Sequence, residues 1–315
     1  MAPAKPAAPV QPRPGAEPAT AARPTPAEAS RATARWKPAP RLLGQAGRTG
    51  MRVVLVALVV AGFAFPFAIM VTTSFKTTGD IFHAPPRFWP TSWTLASFRA
   101  AFLQMPFWRY LGNTLLLCGL NVLGTVVACP LVAYSLAKLR WRGRGPLLVL
   151  VLATMMLPPQ VTLIPIYLIW NDLHAVNTYW PLVVPAFCGT PFLIFMIRQF
   201  LISVPDDLLE AARIDGTPEL RIYLKVVLPL ARPALATAAV FQFVWTWTDF
   251  LNPLIYLNDP SKYTLSIGLY NFFSEHGVAW GPLMAACVLF TIPAFLIFLA
   301  GQRYFVEGIA TRGFK

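Results

Sequence analysis

The sequence predicts an all-α polytopic membrane protein with six transmembrane helices, and three observations predict it. Of 315 residues, 56% are hydrophobic and only 12% charged, about half the charged fraction of an ordinary globular domain. A soluble chain of this size needs polar side chains to cover its surface, and they are missing. Mean hydropathy is +0.56, and apolar runs of about 20 residues, enough to cross a hydrocarbon layer of about 30 Å, recur along the chain. The basic residues behind a net charge of +13 gather at the ends of these runs rather than on one face able to meet phosphates. Their charge therefore reports topology and not nucleic-acid binding. A coiled coil, a disulfide scaffold and a water-soluble enzyme are excluded.

Residues 1–50 form a Pro/Ala-rich tail with scattered Arg and Lys. It has too few large apolar side chains to offset its ordering entropy, so it is expected to be a disordered cytoplasmic tail whose basic residues meet anionic lipid headgroups. It is too long and proline-broken to be a secretory signal. The spans follow over residues 51–315, roughly at Val53 to Phe75, Tyr110 to Ala137, Pro146 to Trp170, Thr178 to Ile197, Pro233 to Leu257 and Val278 to Tyr304. Pro66, Pro158, Pro159, Pro191 and Pro293 lie inside these runs and predict kinks, with Pro158–Pro159 the main discontinuity. The four cysteines, Cys118, Cys129, Cys188 and Cys287, sit in apolar stretches without metal spacing and read as small buried hydrophobes. His83, His174 and His276 are scattered at span ends and loops, so neither a metal site nor a cofactor is expected.

Orientation follows from the loops. One side carries nine Lys and Arg through Arg52, four over Lys138 to Arg144, five from Arg198 to Arg232 and three at the C-terminus, 21 in all. The other carries Lys76, Arg87, Arg99, Arg109 and Lys262. This asymmetry predicts a multi-pass protein of the bacterial plasma membrane with both termini cytoplasmic. The outer loop after the first span, with Trp89, Pro90 and Trp93, is aromatic and proline-rich, as an interfacial segment would be.

Between the fourth and fifth spans, residues 203–229 read as two short helices joined at Gly216. Ser203 with Asp206 resembles a capping box, and Pro205 suits an early helical position. Leu208, Leu209 and Ala212 fall on one face, opposite Asp206, Asp207, Glu210 and Arg213. Thr217 is the expected cap of the second helix, and Pro229 its stop. Ala211 and Ala212 allow another surface to come close, and Glu210 offers a charge for a partner's basic group. The residues alone fit equally an ordinary surface loop with satisfied caps.

EAARIDGTPELRIYLKVVLP resembles the EAA motif of ATP-binding-cassette importer permeases. Glu210-Ala211-Ala212, three residues, Gly216, nine residues, Val226, one residue and Leu228-Pro229 follow its spacing, with Val226 at the usual Ile. Trp247-Thr248-Asp249-Phe250 looks like that family's Trp-Asn-Glu-Phe, and Tyr263-Thr264-Leu265 and Phe305-Val306-Glu307-Gly308-Ile309 resemble its later segments. Together these resemble the carbohydrate-uptake, maltose-transporter subfamily, and within it the second six-span permease. The resemblance implies the type I importer permease fold and a hairpin that docks on a cytosolic ATPase through Glu210, Ala211, Ala212, Gly216, Leu228 and Pro229. It implies a second permease as heterodimer partner, two ATP-binding-cassette ATPase subunits and an extracytoplasmic substrate-binding protein. The chain has no G-x-x-x-x-G-K-[ST], so it is expected not to be an enzyme, and ATP is expected to bind another polypeptide.

For the substrate path, Asp249 is the one carboxylate well inside a run, where a charge costs several kcal/mol unless it meets a cavity or partner. With it lie Gln242, Trp245, Thr246, Trp247, Thr248 and Asn252, a mixture of aromatic faces and hydrogen-bonding groups of the kind that binds sugars. Helical spacing places Gln242, Trp245, Asp249 and Asn252 on one face, with Trp247 elsewhere. Helix packing or an interfacial aromatic belt is the alternative for these residues. Glycerol phosphate or a polyol remains open as cargo. So does a proton-coupled secondary transporter, which would need more intramembrane carboxylates. A membrane-embedded enzyme lacks any H-E-x-x-H or G-x-S-x-G constellation.

Overall fold

The structure, a computed structural model, describes residues 45–85, 87–274 and 277–310, with side chains over 49–85, 87–273 and 277–302. Of the tail expected to be disordered over residues 1–50, residues 1–44 lie outside the described residues, as do His276 and the side chains of the Phe305–Ile309 ending, while residues 45–50 are already helical, the first helix starting at Gln45 rather than after the tail. The chain divides into two compact units, residues 1–62 and 63–315. Of the first, the structure describes only the start of helix α1 (Gln45–Ser74), where every side chain from Thr49 to Gly62 is exposed. A helix apolar all round and exposed all round has lipid as its natural solvent.

In the second unit α1 ends, and a loop over residues 75–106 follows. It carries the single turn α2 (Thr78–Ile81), capped by Thr77, and α3 (Ala96–Gln104). Asp80 accepts hydrogen bonds from the Thr91 N–H (3.1 Å) and the Thr91 hydroxyl, and the Lys76 ammonium donates to the Arg87 carbonyl (2.6 Å), so this loop is tied down by its own polar groups. Helix α4 (Phe107–Ala137) is the central rod, packed on α7 (Trp180–Cys188), α8 (Pro191–Ile202) and α11 (Arg232–Thr248). It comes close to α7 because Gly124 has no side chain: a Cβ there would lie 2.7 Å from the Phe187 ring. The last helix, α14 (Trp280–Ala310), packs on α3 and α11.

Among the described residues, four helices are long and apolar enough to cross a membrane: Thr49–Ser74, Phe107–Ala137, Trp180–Ile202 and Trp280–Gln302. Two bent pairs raise the number to six. The first, α5 (Arg144–Thr154) with α6 (Pro159–Asp172), bends by 100° at the Pro158–Pro159 break. A residue before proline is pushed out of the helical region, and Pro158 accordingly sits at ψ 131°. Pro66 and Pro293, by contrast, are carried inside unbroken helices. The second pair is α10 (Glu219–Leu230) with α11, bent by 76°.

Pro229 does not stop its helix, as the sequence led us to expect. A π-turn over Tyr223–Val227, in which the Leu228 N–H donates to the Tyr223 carbonyl, widens the helix ahead of the proline. The bend comes instead at Ala231. The fifth apolar run is also not one helix to Leu257. It breaks at Asp249 (ψ 117°) and resumes as α12 (Leu251–Tyr256). A short 3₁₀ turn (Pro260–Lys262), α13 (Leu265–Tyr270) and a two-stranded antiparallel ribbon, β1 (Phe273–Ser274) with β2 (Gly277–Val278), lead to α14.

Two apolar clusters hold this unit. One joins Tyr134, Leu136, Leu193, Ile197 and Leu201 to Leu209, Ile222 and Val227 of the hairpin. The other joins Met105, Tyr110, Phe243, Trp247, Leu265 and Leu283.

Candidate functional site

The hairpin consists of α9 (Asp206–Ile214) and α10, joined through Gly216. Its caps differ from expectation. Ser203 closes α8 by donating to the Phe200 carbonyl (2.6 Å), so no capping box forms. The α9 and α10 N-caps are Pro205 and Pro218, neither with a side-chain bond, and Thr217 is not the cap. Charged and polar side chains at the hairpin's base tie it down instead. Lys138 at the end of α4, its side chain only 5% exposed, donates to the Val204 carbonyl (2.6 Å) and the Asp206 carboxylate (2.5 Å). Arg213 donates twice to Glu219, at 3.1 and 3.0 Å, clasping α9 to α10. The Tyr134 hydroxyl, from α4, donates to the same carboxylate. The Arg213 hydrogen bond is the main reason the Glu219 carboxyl is held below its ordinary range, and Lys138 does the same for Asp206.

Leu209 is 1% exposed, seated against α4, α8 and α10. Leu208, expected beside it, is 50% exposed and faces outward, because a hundred-degree step per residue separates neighbours on a helix. Glu210, Ala211 and Ile214 are exposed, Ala212 is half-buried against the core, Leu228 is partly buried and Pro229 exposed. Glu210 lines a cleft of about 480 Å³ with Lys138, Arg140, Asp206, Arg213 and Glu219. Gly216, at φ +73°, occupies the left-handed region that the tight turn requires.

Gln242, Trp245 and Asp249 line a single cavity of about 330 Å³ with Asn121, Thr190 and Thr246. Asn252 does not join them. It lines the neighbouring cavity against α6, and its backbone N–H and side-chain amide bond the two Asp249 carboxylate oxygens at 3.2 and 2.9 Å. Asp249 thus caps α12, and the helix break takes Asn252 off the shared face. Trp247 is fully buried, donating from Nε1 to the Phe290 carbonyl (3.1 Å). Across the cavity, α7 and α8 part at Gly189 (φ +93°), and Thr190 there contacts Gln242. Sequence reasoning missed Asn121 and Thr190. An Asn inside an apolar span was the available signal for the first, and Gly189-Thr190-Pro191 the signal for the second.

Residues 121–311 match the model of the family described as binding-protein-dependent transport system inner membrane component. The chain belongs to that family. A probable ATP-binding-cassette (ABC) transporter permease protein, YurM of Bacillus subtilis, is 34% identical over 89% of this chain and 92% of its own. The diacetylchitobiose uptake system permease protein DasC of Streptomyces coelicolor is 33% identical over 85% of this chain and 98% of its own. In fold, the chain resembles a bacterial ABC transporter involved in the import of the acidic polysaccharide alginate, at TM-score 0.73 and 23% identity, covering 84% of this chain and 99% of that one. This permease is therefore a multi-pass membrane subunit of an ABC importer with the importer permease fold. It is not itself an enzyme. ATP hydrolysis belongs to a separate subunit, and a substrate-binding protein delivers the cargo.

Proposed function

We propose that this permease passes a sugar or oligosaccharide and is the second six-span subunit of a heterodimer served by two ATPases. Both termini and the hairpin lie in the cytoplasm, a reading supported by the excess of basic residues on that side. Curated relatives named for arabinooligosaccharides, diacetylchitobiose and melibiose, raffinose and stachyose support the cargo class. The observation that carries the coupling role is the two-sidedness of the hairpin. Leu209, Ile222 and Val227 lock its inner face to the membrane helices, while Glu210, Ala211 and Ile214 stand exposed on α9. A cleft in an ATPase closing on that outer face moves the hairpin as a rigid body. Binding protein and ATP each favour the outward-open state, so the two shift one equilibrium together.

Within the membrane, Gln242, Trp245 and Asp249 form the path, with Asn252 holding the Asp249 carboxylate. Detergent-extracted wild-type permease is expected to bring down its ATPase, and Glu210→Lys to lose it, while the partner permease stays bound in both. Retention of the ATPase by Glu210→Lys refutes the docking role. Uptake by the chain alone under a proton gradient refutes the reading as a whole.

A further inference from the structure

Several of the cavity's polar groups are taken up within the protein. The Thr190 hydroxyl donates to Gln242 Oε1 (3.5 Å), Gln242 Nε2 donates to the Thr246 hydroxyl (3.2 Å), and the Asp249 carboxylate is taken up by Asn252. Asn121, in the middle of α4, is 4% exposed and lines the same cavity, yet its Oδ1 has no donor among the described residues. A buried amide oxygen without a donor is destabilising and calls for a partner such as a water or a ligand; Thr125 Oγ1, one turn on, is likewise without a partner among the described residues but lies outside the cavity lining. Asn121, Thr125 and Cys129 follow one another at helical spacing on α4. The Cys129 sulfur meets Thr190, at the Gly189 break, with the Thr190 N–H 3.4 Å away. This side of α4 therefore faces the interruption between α7 and α8, and Asn121 faces into the opening it leaves.

We propose that Asn121 is a specificity-determining residue of the transport path, its amide oxygen accepting a hydrogen bond from a hydroxyl of an uncharged sugar lodged in this cavity beside Trp245. The inference rests on the permease reading above and goes further by assigning the contact to this subunit and choosing the charge of the cargo. Among the residues lining the cavity there is no Lys, Arg or His, and the one ionisable side chain is Asp249. A carboxylated, sulfonated or phosphorylated sugar would meet a like charge there with no cation to offset it. A neutral one presents hydroxyl donors to Asn121 and an apolar ring face to Trp245.

The test uses the complete transporter in proteoliposomes, with its partner permease, ATPases and binding protein. The probes are radiolabelled melibiose, raffinose, diacetylchitobiose and arabinotriose, with an alginate trisaccharide as the anionic probe. For whichever neutral sugar is taken up, singly deoxygenated analogues are compared in wild type and Asn121→Leu. In wild type, one analogue is expected to fall by about threefold to tenfold. In Asn121→Leu the parent is expected to fall to the level of that analogue, the difference between the two disappearing, compared in complexes of the same subunit composition. Should Leu disturb assembly, Asn121→Ala removes the same acceptor without added bulk and carries the same expectation. Wild-type uptake of the parent by both variants, an equal fall for the parent and every analogue, or uptake of the alginate probe by wild type each overturns the inference and leaves the importer reading standing. A wild-type complex that moves none of the probes, and whose ATPase none of them stimulates, overturns the sugar reading and this inference with it.

Discussion

Leu209 and Leu208 are neighbours in sequence with opposite fates in the structure, and substituting each by Ala separates the hairpin's seating from its docking. Leu209 is 1% exposed beneath Ile222, Val227 and the α8 side chains Ile197 and Leu201. Removing a fully buried Leu side chain down to Ala costs about 2–5 kcal/mol. At about 1.4 kcal/mol per factor of ten, a mid-range loss of about 3 kcal/mol lowers the ratio of seated to unseated hairpin by about two orders of magnitude. Leu208 is 50% exposed, and surface substitutions of this kind usually stay within about 0.5 kcal/mol. Amide hydrogen exchange over residues 206–230 in nanodiscs is the assay, since it reads local opening directly. Leu209→Ala is expected to speed exchange in this segment about a hundredfold without altering α14. Leu208→Ala is expected to leave exchange unchanged while weakening capture of the ATPase. Equal acceleration in both variants, or none in Leu209→Ala, would refute the seating argument.

The remaining predictions concern charge, backbone and path. Because the Glu219 and Asp206 carboxyls are held below their ordinary values of 4.5 and 3.8 by Arg213 and Lys138, their contribution to the hairpin is complete above those values and disappears as pH falls through the lowered ones. Exchange protection of the hairpin, corrected for intrinsic rates, is expected to be flat from pH 7 to about 5 and to fall below about 4.5, with a smaller step in Glu219→Gln. Gly216 at φ +73° has open space where a Cβ would go, so only backbone strain opposes substitution. Gly216→Asn should retain most sugar-stimulated ATP hydrolysis, because Asn tolerates the left-handed region, and Gly216→Pro, whose φ is fixed near −65°, should lose it. Asp249→Asn and Trp245→Ala are each expected to reduce uptake at unchanged ATPase capture, and unaltered uptake in both would remove them from the path.

What the sequence showed and what it hid divide along physical lines. Spans are legible because a bilayer demands long apolar runs, and the Pro158–Pro159 break is legible because two prolines in succession leave a helix few alternatives. Pro229 misled because its cost depends on the helix before it, and a π-turn at Tyr223–Val227 absorbs it. The break at Asp249 has its signal in Pro253, four residues on, whose ring would clash with the Asp249 carbonyl in a continuous helix. There the Asp249 carboxylate takes up the Asn252 amides, a local bond that competes with helix continuation. The same bond explains why three of the four path residues share a cavity and the fourth stands behind one of them. Within the hairpin, composition gave the two helices and the Gly216 turn, but not the clasp. Tyr134 lies 85 residues from Glu219, and nothing local pairs them.

That long-range clasp bears on how force would travel under the proposed function. The hairpin reaches the cavity by two routes. Through the 76° bend at Ala231 it runs directly into α11, which carries Gln242 and Trp245 on one wall. Through Glu219 and Tyr134, and through Asp206 and Lys138, it grips the end of α4, whose Asn121 lies on another wall about 20 Å farther along the helix. Between grip and wall α4 runs unbroken, with Pro130 buried inside it. A push on the hairpin therefore moves two walls of one cavity, one by covalent continuity and one by hydrogen bonds. Loosening the second alone, with Tyr134→Phe, should weaken coupling between ATP hydrolysis and uptake without detaching the ATPase. Uptake per ATP hydrolysed, measured in proteoliposomes, decides it: an unchanged ratio would mean that α11 alone carries the motion.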